Sequence, residues 1–141
     1  MKIEYLYCNR VICGYNRAAS EYIRILGEMG HTVSTVFGQT KPDVRIIHDI
    51  PYNVDEKLFD DCVPVIYFYA WELSELPEMY VETMKKAKFC VTFSEFQEKI
   101  YRKKVGKNIE CIPHFVDYPQ VRKTEKREVF TFLSILRWDE R

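Results

Sequence analysis

The chain has 141 residues, of which 47% are hydrophobic and 30% charged, and its 21 basic residues balance 21 acidic ones. This composition excludes a disordered chain, and the lack of a basic excess argues against general nucleic-acid binding, so we expect no nucleic-acid partner. The longest apolar runs are much shorter than the roughly 18 residues of a membrane span, and a strand-like segment begins right after Met1, so we expect neither a span nor a signal peptide.

Strand-like and helix-like segments alternate from the N-terminus onward. Strands are predicted over residues 2–8, 32–37, 44–48, 64–69, 89–93 and 110–112, and helices over residues 18–29, 77–87 and 94–105. The first helix has apolar residues spaced to form one buried stripe, and Gly30 supplies the left-handed position at which such a helix ends. Ser94, with Gln97 three residues later, has the spacing of a capping box at the start of the last helix.

Several of these strands are apolar on both faces, which is typical of strands buried between two layers of helices. Strands that alternate with helices predict a parallel sheet, and right-handed crossovers make such a sheet doubly wound. We therefore predict an α/β fold with a Rossmann-like, doubly wound parallel sheet.

The last twenty residues differ in character from the rest. Residues 122–128 are charged and resemble an interdomain connection, whereas residues 129–136 form another strand that is apolar on both faces. Such a strand belongs inside a covered sheet. The sequence therefore predicts a Rossmann-like domain over residues 1–121, followed over residues 122–141 by a linker and the first strand of a second domain. On this interpretation the first domain acts together with a partner half.

The cysteines and the clusters of basic residues bear on the cellular location of the protein. Five cysteines, an odd number, fit reduced thiols in a cytoplasmic protein. A disulfide between Cys8 and Cys13 is the minority alternative, and the cysteine spacing argues against a metal site. Basic residues cluster at 85–88 and 102–107. Solvated helix faces account for these clusters, and peripheral attachment to anionic lipid at a membrane surface is the alternative.

Ligands of open parallel sheets bind beyond the carboxyl ends of the strands, so the residues that follow each strand are the candidates for binding. In chain order these residues are Gly14, Arg17, His48, Asp49, Trp71, Glu72, Ser94, Glu95, His114 and Asp117.

Each candidate pair has both a functional and a structural interpretation. Gly14 and Arg17 could bind an anion at a helix N-terminus, or be a loop glycine and a solvated arginine. His48 could act as a base or bind a sugar hydroxyl, but a lone histidine is more often structural. Trp71 beside a carboxylate suits a carbohydrate, or it is a core residue next to a capping acid. The capping role alone accounts for Ser94.

Four segments, taken in order, resemble the N-terminal half of GT-B glycosyltransferases, specifically the retaining GT4 group. They are Gly14 with Arg17, residues 26–33 (ending in Met-Gly-His-Thr-Val), residues 93–96 (Phe-Ser-Glu-Phe) and residues 112–117 (Ile-Pro-His-Phe-Val-Asp). Residues 69–77 are similar to a segment of a subset of that group, and residues 132–141 look like the beginning of its nucleotide-sugar-binding domain. The order and spacing of these segments, more than any single one, carry the resemblance.

The resemblance implies an acceptor-binding domain whose active site lies in a cleft against a C-terminal domain. A nucleotide sugar is then the co-substrate, held mainly by the other half, and no cofactor or metal is needed. Gly14 would lie near the donor phosphate or the transferred sugar, and Ser94 and Glu95 in the cleft wall. The turn over residues 113–117, which includes His114 and Asp117, would lead to the hinge before the second domain, and Arg137 would lie at the start of the donor side. Many relatives have a histidine after the fourth strand, where this chain has residues 70–72 (Ala-Trp-Glu).

Two functions follow, and they imply different partners. The first is the acceptor domain of a retaining glycosyltransferase, which binds a sugar acceptor, requires a C-terminal glycosyltransferase half and has negligible turnover alone. The alternative is a stand-alone, non-catalytic binding or assembly module that joins a second copy through residues 129–136. A nucleotide-dependent oxidoreductase is disfavoured, because the glycine pattern of a dinucleotide-binding loop is missing from the sequence.

Overall fold

The computed structural model describes residues 1–8, 14–39, 41–106 and 108–114, which form a parallel sheet flanked by helices. The strands are β1 (Lys2–Tyr7), β2 (Thr32–Ser34), β3 (Val44–His48), β4 (Val65–Phe68), β5 (Phe89–Thr92) and β6 (Ile109–Cys111). The helices are α1 (Gly14–Glu28), α2 (Glu78–Lys86) and α3 (Glu95–Lys104), and two short 3₁₀ helices, Pro51–Asn53 and Glu56–Phe59, connect β3 to β4.

The strands pair in parallel in the order β2-β1-β3-β4-β5-β6. From β1 the chain moves outward to β2, and then returns to the other side of β1 to form β3. From β3 it continues in one direction to β6. The predicted α/β class, with a Rossmann-like, doubly wound parallel sheet, is confirmed.

Two hydrophobic clusters lie on opposite faces of this sheet, because successive strand residues point to opposite sides. On the first, which we call the α1 face, Tyr22 of α1 packs with Tyr5 of β1. On the second, the α2 face, Met84 of α2 and Tyr101 of α3 pack with Tyr67 of β4. The sheet is therefore covered on both sides, as the apolar character of its strands predicts.

A buried ion-pair network joins β1 to β3 on the α2 face. The carboxylate of Glu4 accepts hydrogen bonds from the Arg45 guanidinium and from the Gly38 amide, the latter at 2.8 Å. Arg45 also donates to the carbonyl of Leu58 and to both carboxylate oxygens of Asp61, at 3.0 and 2.7 Å. Burial alone would lower the pKa of Arg45, but its hydrogen bonds to Asp61 and Glu4 raise the pKa above its usual value.

The second strand is shorter than predicted. It ends at Ser34 rather than at residue 37, because the Ser34 hydroxyl accepts a hydrogen bond from the Val36 amide at 3.3 Å and donates to Gln39 at 3.1 Å. These bonds hold the chain in a turn that directs Phe37 away from the strand. The Phe37 ring lies instead against the Arg45 guanidinium, with 4.9 Å between the ring centroid and Cζ of Arg45.

The first helix is longer than predicted and ends as predicted. It begins at Gly14 instead of residue 18, because Tyr15 in its first turn packs against the ends of two strands, a tertiary contact that periodicity does not register. At the other end, Gly30 has φ +85°, and the His31 amide donates to the Leu26 carbonyl at 3.1 Å. This is the geometry of a glycine-terminated helix, so the Gly30 prediction is confirmed.

The second predicted unit lies outside the described residues. This applies to the boundary between residues 121 and 122, to the charged linker and to the apolar strand over residues 129–136, all of which stay predictions. Within the described part of the chain, no helix combines the length and the apolar character that a membrane crossing requires.

Candidate functional site

The direction in which successive strands are added to the sheet reverses between β1 and β3, and we call this position the chain reversal. In open α/β sheets the crevice at such a reversal, beyond the carboxyl ends of the strands, is where ligands bind. Here α1 begins at Gly14 after the end of β1, and β3 ends at His48, which is in register with Tyr7. The candidate residues that follow β1 and those that follow β3 therefore flank the same crevice.

His48 is the most buried of the candidate residues, with 1% of its surface exposed. Its Nδ1 atom is 3.0 Å from the Tyr5 hydroxyl, and its ring lies 5.7 Å from Phe93 and 6.4 Å from His114. Burial, with a smaller contribution from His114, lowers the pKa of His48 to about 3. The imidazole is therefore neutral near pH 7 and too weakly basic to act as a general base there.

His114 forms the outer layer of the same cluster. Its ring stacks on Phe93 with centroids 3.8 Å apart and planes inclined by 19°. Its Nδ1 atom is 3.5 Å from the Tyr22 hydroxyl of α1. Although this side chain is exposed on one side, burial against these rings lowers its pKa. We call His48, His114, Tyr5, Tyr22 and Phe93 the histidine cluster. It unites two candidates that lie 66 residues apart in the chain.

Tyr15 connects the histidine cluster to the end of β4. Its ring contacts that of His48 edge-on at 5.1 Å, and its hydroxyl lies 3.4 Å from both the amide and the carbonyl of Ala70. Tyr15, Tyr5 and Tyr22 were not among the candidate residues predicted from the sequence. The available signal was a tyrosine three residues before the predicted start of the first helix, next to a candidate glycine.

Trp71 and Glu72 lie away from this cluster, on the α2 face. The Trp71 indole donates to the Glu75 carbonyl at 2.7 Å and packs edge-on against Tyr80 of α2, 5.6 Å away. Glu72 is exposed. Trp71 is thus partly a core residue, with the Glu72 carboxylate beside it at the surface.

Asp49 turns the chain after β3, because its carboxylate accepts a hydrogen bond from the Ile50 amide at 2.7 Å.

Ser94 caps α3, where its hydroxyl accepts from the Gln97 amide at 3.3 Å, as predicted. The Gln97 side chain reaches back beyond the capping residue and accepts from the Phe93 amide at 2.9 Å, which ties the cap to the histidine cluster. Glu95, in the first turn of α3, and Arg17, in the first turn of α1, are exposed.

Gly14, Asp117 and Arg137 are the remaining candidate residues. A Cβ atom added to Gly14 would meet no atom within 4 Å, so the described surroundings do not themselves require a glycine there. Asp117 and Arg137 lie outside the described residues. Their predicted places, in the turn leading to a second domain and on the donor side, stay predictions.

Tyr5, Tyr22 and His48 are buried, so the surface beside the chain reversal offers the at least partly exposed rings of Tyr15, Phe93 and His114. These groups suit a sugar, whose C–H faces pack on rings and whose hydroxyls exchange hydrogen bonds. The N-terminus of α1 is the positive end of the helix dipole, so it is the part of this edge suited to negative charge. Among the described residues, no group of three or more His, Cys, Asp or Glu side chains could hold a metal ion.

Comparison of the chain with models of protein families, with curated proteins and with solved structures found no match.

Proposed function

We propose that this chain is the acceptor-side domain of a retaining GT-B glycosyltransferase, which transfers a sugar from a nucleotide-sugar donor to a glycan, lipid or other acceptor. One observation carries the proposal: candidate residues chosen from separate loops flank the chain reversal of a parallel sheet, where such folds bind ligands. The resemblance to the GT4 group supplies the reaction class, because a fold by itself does not define a function.

The charges at the carboxyl edge support the acceptor side rather than the donor side. Glycosyl transfer develops negative charge on the departing nucleotide diphosphate, and catalysis requires groups that stabilise that charge. The at least partly exposed rings of Tyr15, Phe93 and His114 suit a sugar rather than a diphosphate, because none is a fixed cation and burial lowers the pKa of His114. We assign the diphosphate mainly to a second domain, with Gly14 and Arg17 at the N-terminus of α1 facing its phosphate groups.

Calorimetry and a transfer assay test the proposal. The chain is titrated with cellotetraose, chitotetraose, maltotetraose and a short-chain octyl glycoside, and separately with the nucleotide sugars UDP-glucose, GDP-mannose and ADP-glucose. We expect at least one acceptor-type ligand to bind, nucleotide sugars to bind more weakly, and radiolabelled sugar transfer to stay below multiple turnovers.

A pair of histidine variants locates the binding. We expect His114→Ala to weaken binding several-fold, because it removes the exposed ring of the histidine cluster, and we expect the control His31→Ala, in the turn after α1, to leave binding unchanged. If none of the acceptor-type ligands binds, the acceptor-side assignment is wrong. Multiple turnovers by the chain alone would contradict the assignment of the diphosphate to a second domain.

A further inference from the structure

Three aromatic rings stand beside the chain reversal, on the α2 face. Tyr52 belongs to the 3₁₀ helix that directly follows β3, and 54% of its surface is exposed. Its ring is stacked with Tyr80 of α2, with centroids 6.5 Å apart and planes inclined by 23°. Trp71 packs edge-on against the same tyrosine at 5.6 Å. We call Tyr52, Trp71 and Tyr80 the aromatic platform.

Two further exposed apolar residues are close in the chain to members of the platform. Leu73, 62% exposed, lies in the turn closed by the hydrogen bond from Trp71 to Glu75, and Met79, 57% exposed, precedes Tyr80 in α2. One exposed apolar residue is ordinary on a protein surface, but several next to one another mark an interaction site.

Hydrogen-bonding groups lie at the β3 side of the platform. The Asn53 side-chain amide donates to the Asp49 carboxylate at 3.2 Å, and the same carboxylate oxygen accepts from the Ile50 amide at 2.7 Å. A carboxylate has roughly four acceptor positions, more than these two contacts use. An exposed ring next to an amide and a carboxylate offers the two kinds of contact that a sugar needs, a flat apolar surface and partners for its hydroxyls.

The charge around the platform selects among sugars. Glu72, Glu75 and Glu78 are all exposed in the turn after β4 and at the start of α2. These carboxylates repel phosphate, sulfate and uronate groups at short range. A nucleotide diphosphate is therefore disfavoured here, and an uncharged sugar is not.

We propose that the aromatic platform is one subsite of the acceptor site, in addition to the histidine cluster, and that it binds an uncharged glycan by stacking a sugar ring on Tyr52. This inference rests on the proposed function, which it makes specific by naming an oligosaccharide rather than a lipid as the acceptor. A β-1,4-linked chain of gluco-configured sugars fits best, because its equatorial substituents leave flat C–H faces for an aromatic ring.

Calorimetric titration of the full chain with chitotetraose and cellotetraose tests the platform. We expect Tyr52→Ala to raise the Kd about tenfold and Tyr52→Phe, which keeps the ring, to change it by less than about twofold. Met29→Ala, a comparably exposed apolar residue after α1, is the control and should leave the Kd unchanged. Circular dichroism melting of each variant checks that the exposed substitution leaves the fold intact.

The acidic rim is tested with an anionic probe. We expect a β-1,4-linked tetraglucuronate, which has the linkage and configuration of cellotetraose, to bind the native chain at least about tenfold more weakly than cellotetraose. Glu72→Lys should reduce that difference in affinity. Tetrasaccharide binding that survives Tyr52→Ala unchanged, while His114→Ala weakens it, would refute the platform and leave the proposed function standing. A native chain that binds the octyl glycoside but no tetrasaccharide would also refute the platform alone. If no acceptor-type ligand binds, both proposals fall.

Discussion

The neutral, buried imidazole of His48 makes the stability of the folded chain depend on pH. Its pKa is about 3 in the folded chain, against 6.5 for an unperturbed histidine, because burial disfavours the charged form. The unfolded chain therefore binds a proton below about pH 6.5, whereas the folded chain does so only near pH 3. Since the unfolded state binds more protons in that interval, stability is full above pH 6.5 and falls as the pH falls.

The size of this effect follows from the two pKa values. One pKa unit corresponds to about 1.4 kcal/mol, so His48 alone should cost about 2 kcal/mol of unfolding free energy between about pH 7.5 and pH 5. His114, whose pKa is also lowered by burial, adds a contribution of the same sign. Urea unfolding followed by circular dichroism at several pH values in that interval measures the slope.

A double variant isolates the contribution of His48. Tyr5→Phe/His48→Phe removes both partners of the buried hydrogen bond and keeps the aromatic volume, so neither is left unsatisfied. We expect it to lose most of the pH slope, and the control His31→Gln to keep the native slope. A native chain whose unfolding free energy is flat from about pH 7.5 to pH 5, or a double variant with an unchanged slope, would refute the assignment of a neutral buried His48.

Three further predictions concern stability, each measured by urea unfolding near pH 7. Arg45→Met should cost about 3–5 kcal/mol of unfolding free energy, because it leaves the Glu4 carboxylate buried without its charged partner. Asp61→Asn should cost less than about 1 kcal/mol, because the Asp61 side chain is 42% exposed. Equal costs for the two variants would contradict the buried network. Ser94→Ala should cost about 1 kcal/mol through loss of the α3 cap, and no loss would contradict that hydrogen bond. Gly30→Ala should cost about 1–2 kcal/mol because of its positive φ, and a stabilised variant would rule that conformation out.

The architecture was largely predictable because its signals are local. Strands apolar on both faces, alternating with helices, predict a covered parallel sheet, and the turn and cap residues Gly30 and Ser94 mark helix ends through their own backbone and side-chain geometry. Parallel pairing then places the residues that follow each strand at one edge. Because β4 and β5 separate β3 from β6, the approach of His114 to His48 depends in addition on its stacking on Phe93, which follows β5.

What the sequence did not reveal depends on contacts between distant segments. Glu4 and Arg45 occupy strand positions at which a charged side chain normally indicates a solvent-facing residue, yet both are buried because β1 and β3 are neighbours in register. Tyr15 and Tyr52 are ordinary tyrosines in the sequence. Their positions beside His48 and Tyr80 follow only from the packing of α1 and of the first 3₁₀ helix against the strand ends.

The central claim is that the carboxyl edge of the sheet, at the chain reversal, binds a sugar acceptor. The most direct measurement is two-dimensional ¹⁵N NMR of the chain titrated with chitotetraose. We predict chemical-shift changes concentrated in the amides of residues 14–17, 49–50, 52–53, 71–73, 93–96 and 114, which follow the ends of β1, β3, β4, β5 and β6. Changes confined to the amino edge, at residues 30–32 and 86–88, or a spectrum that does not respond to any acceptor-type ligand, would contradict the claim.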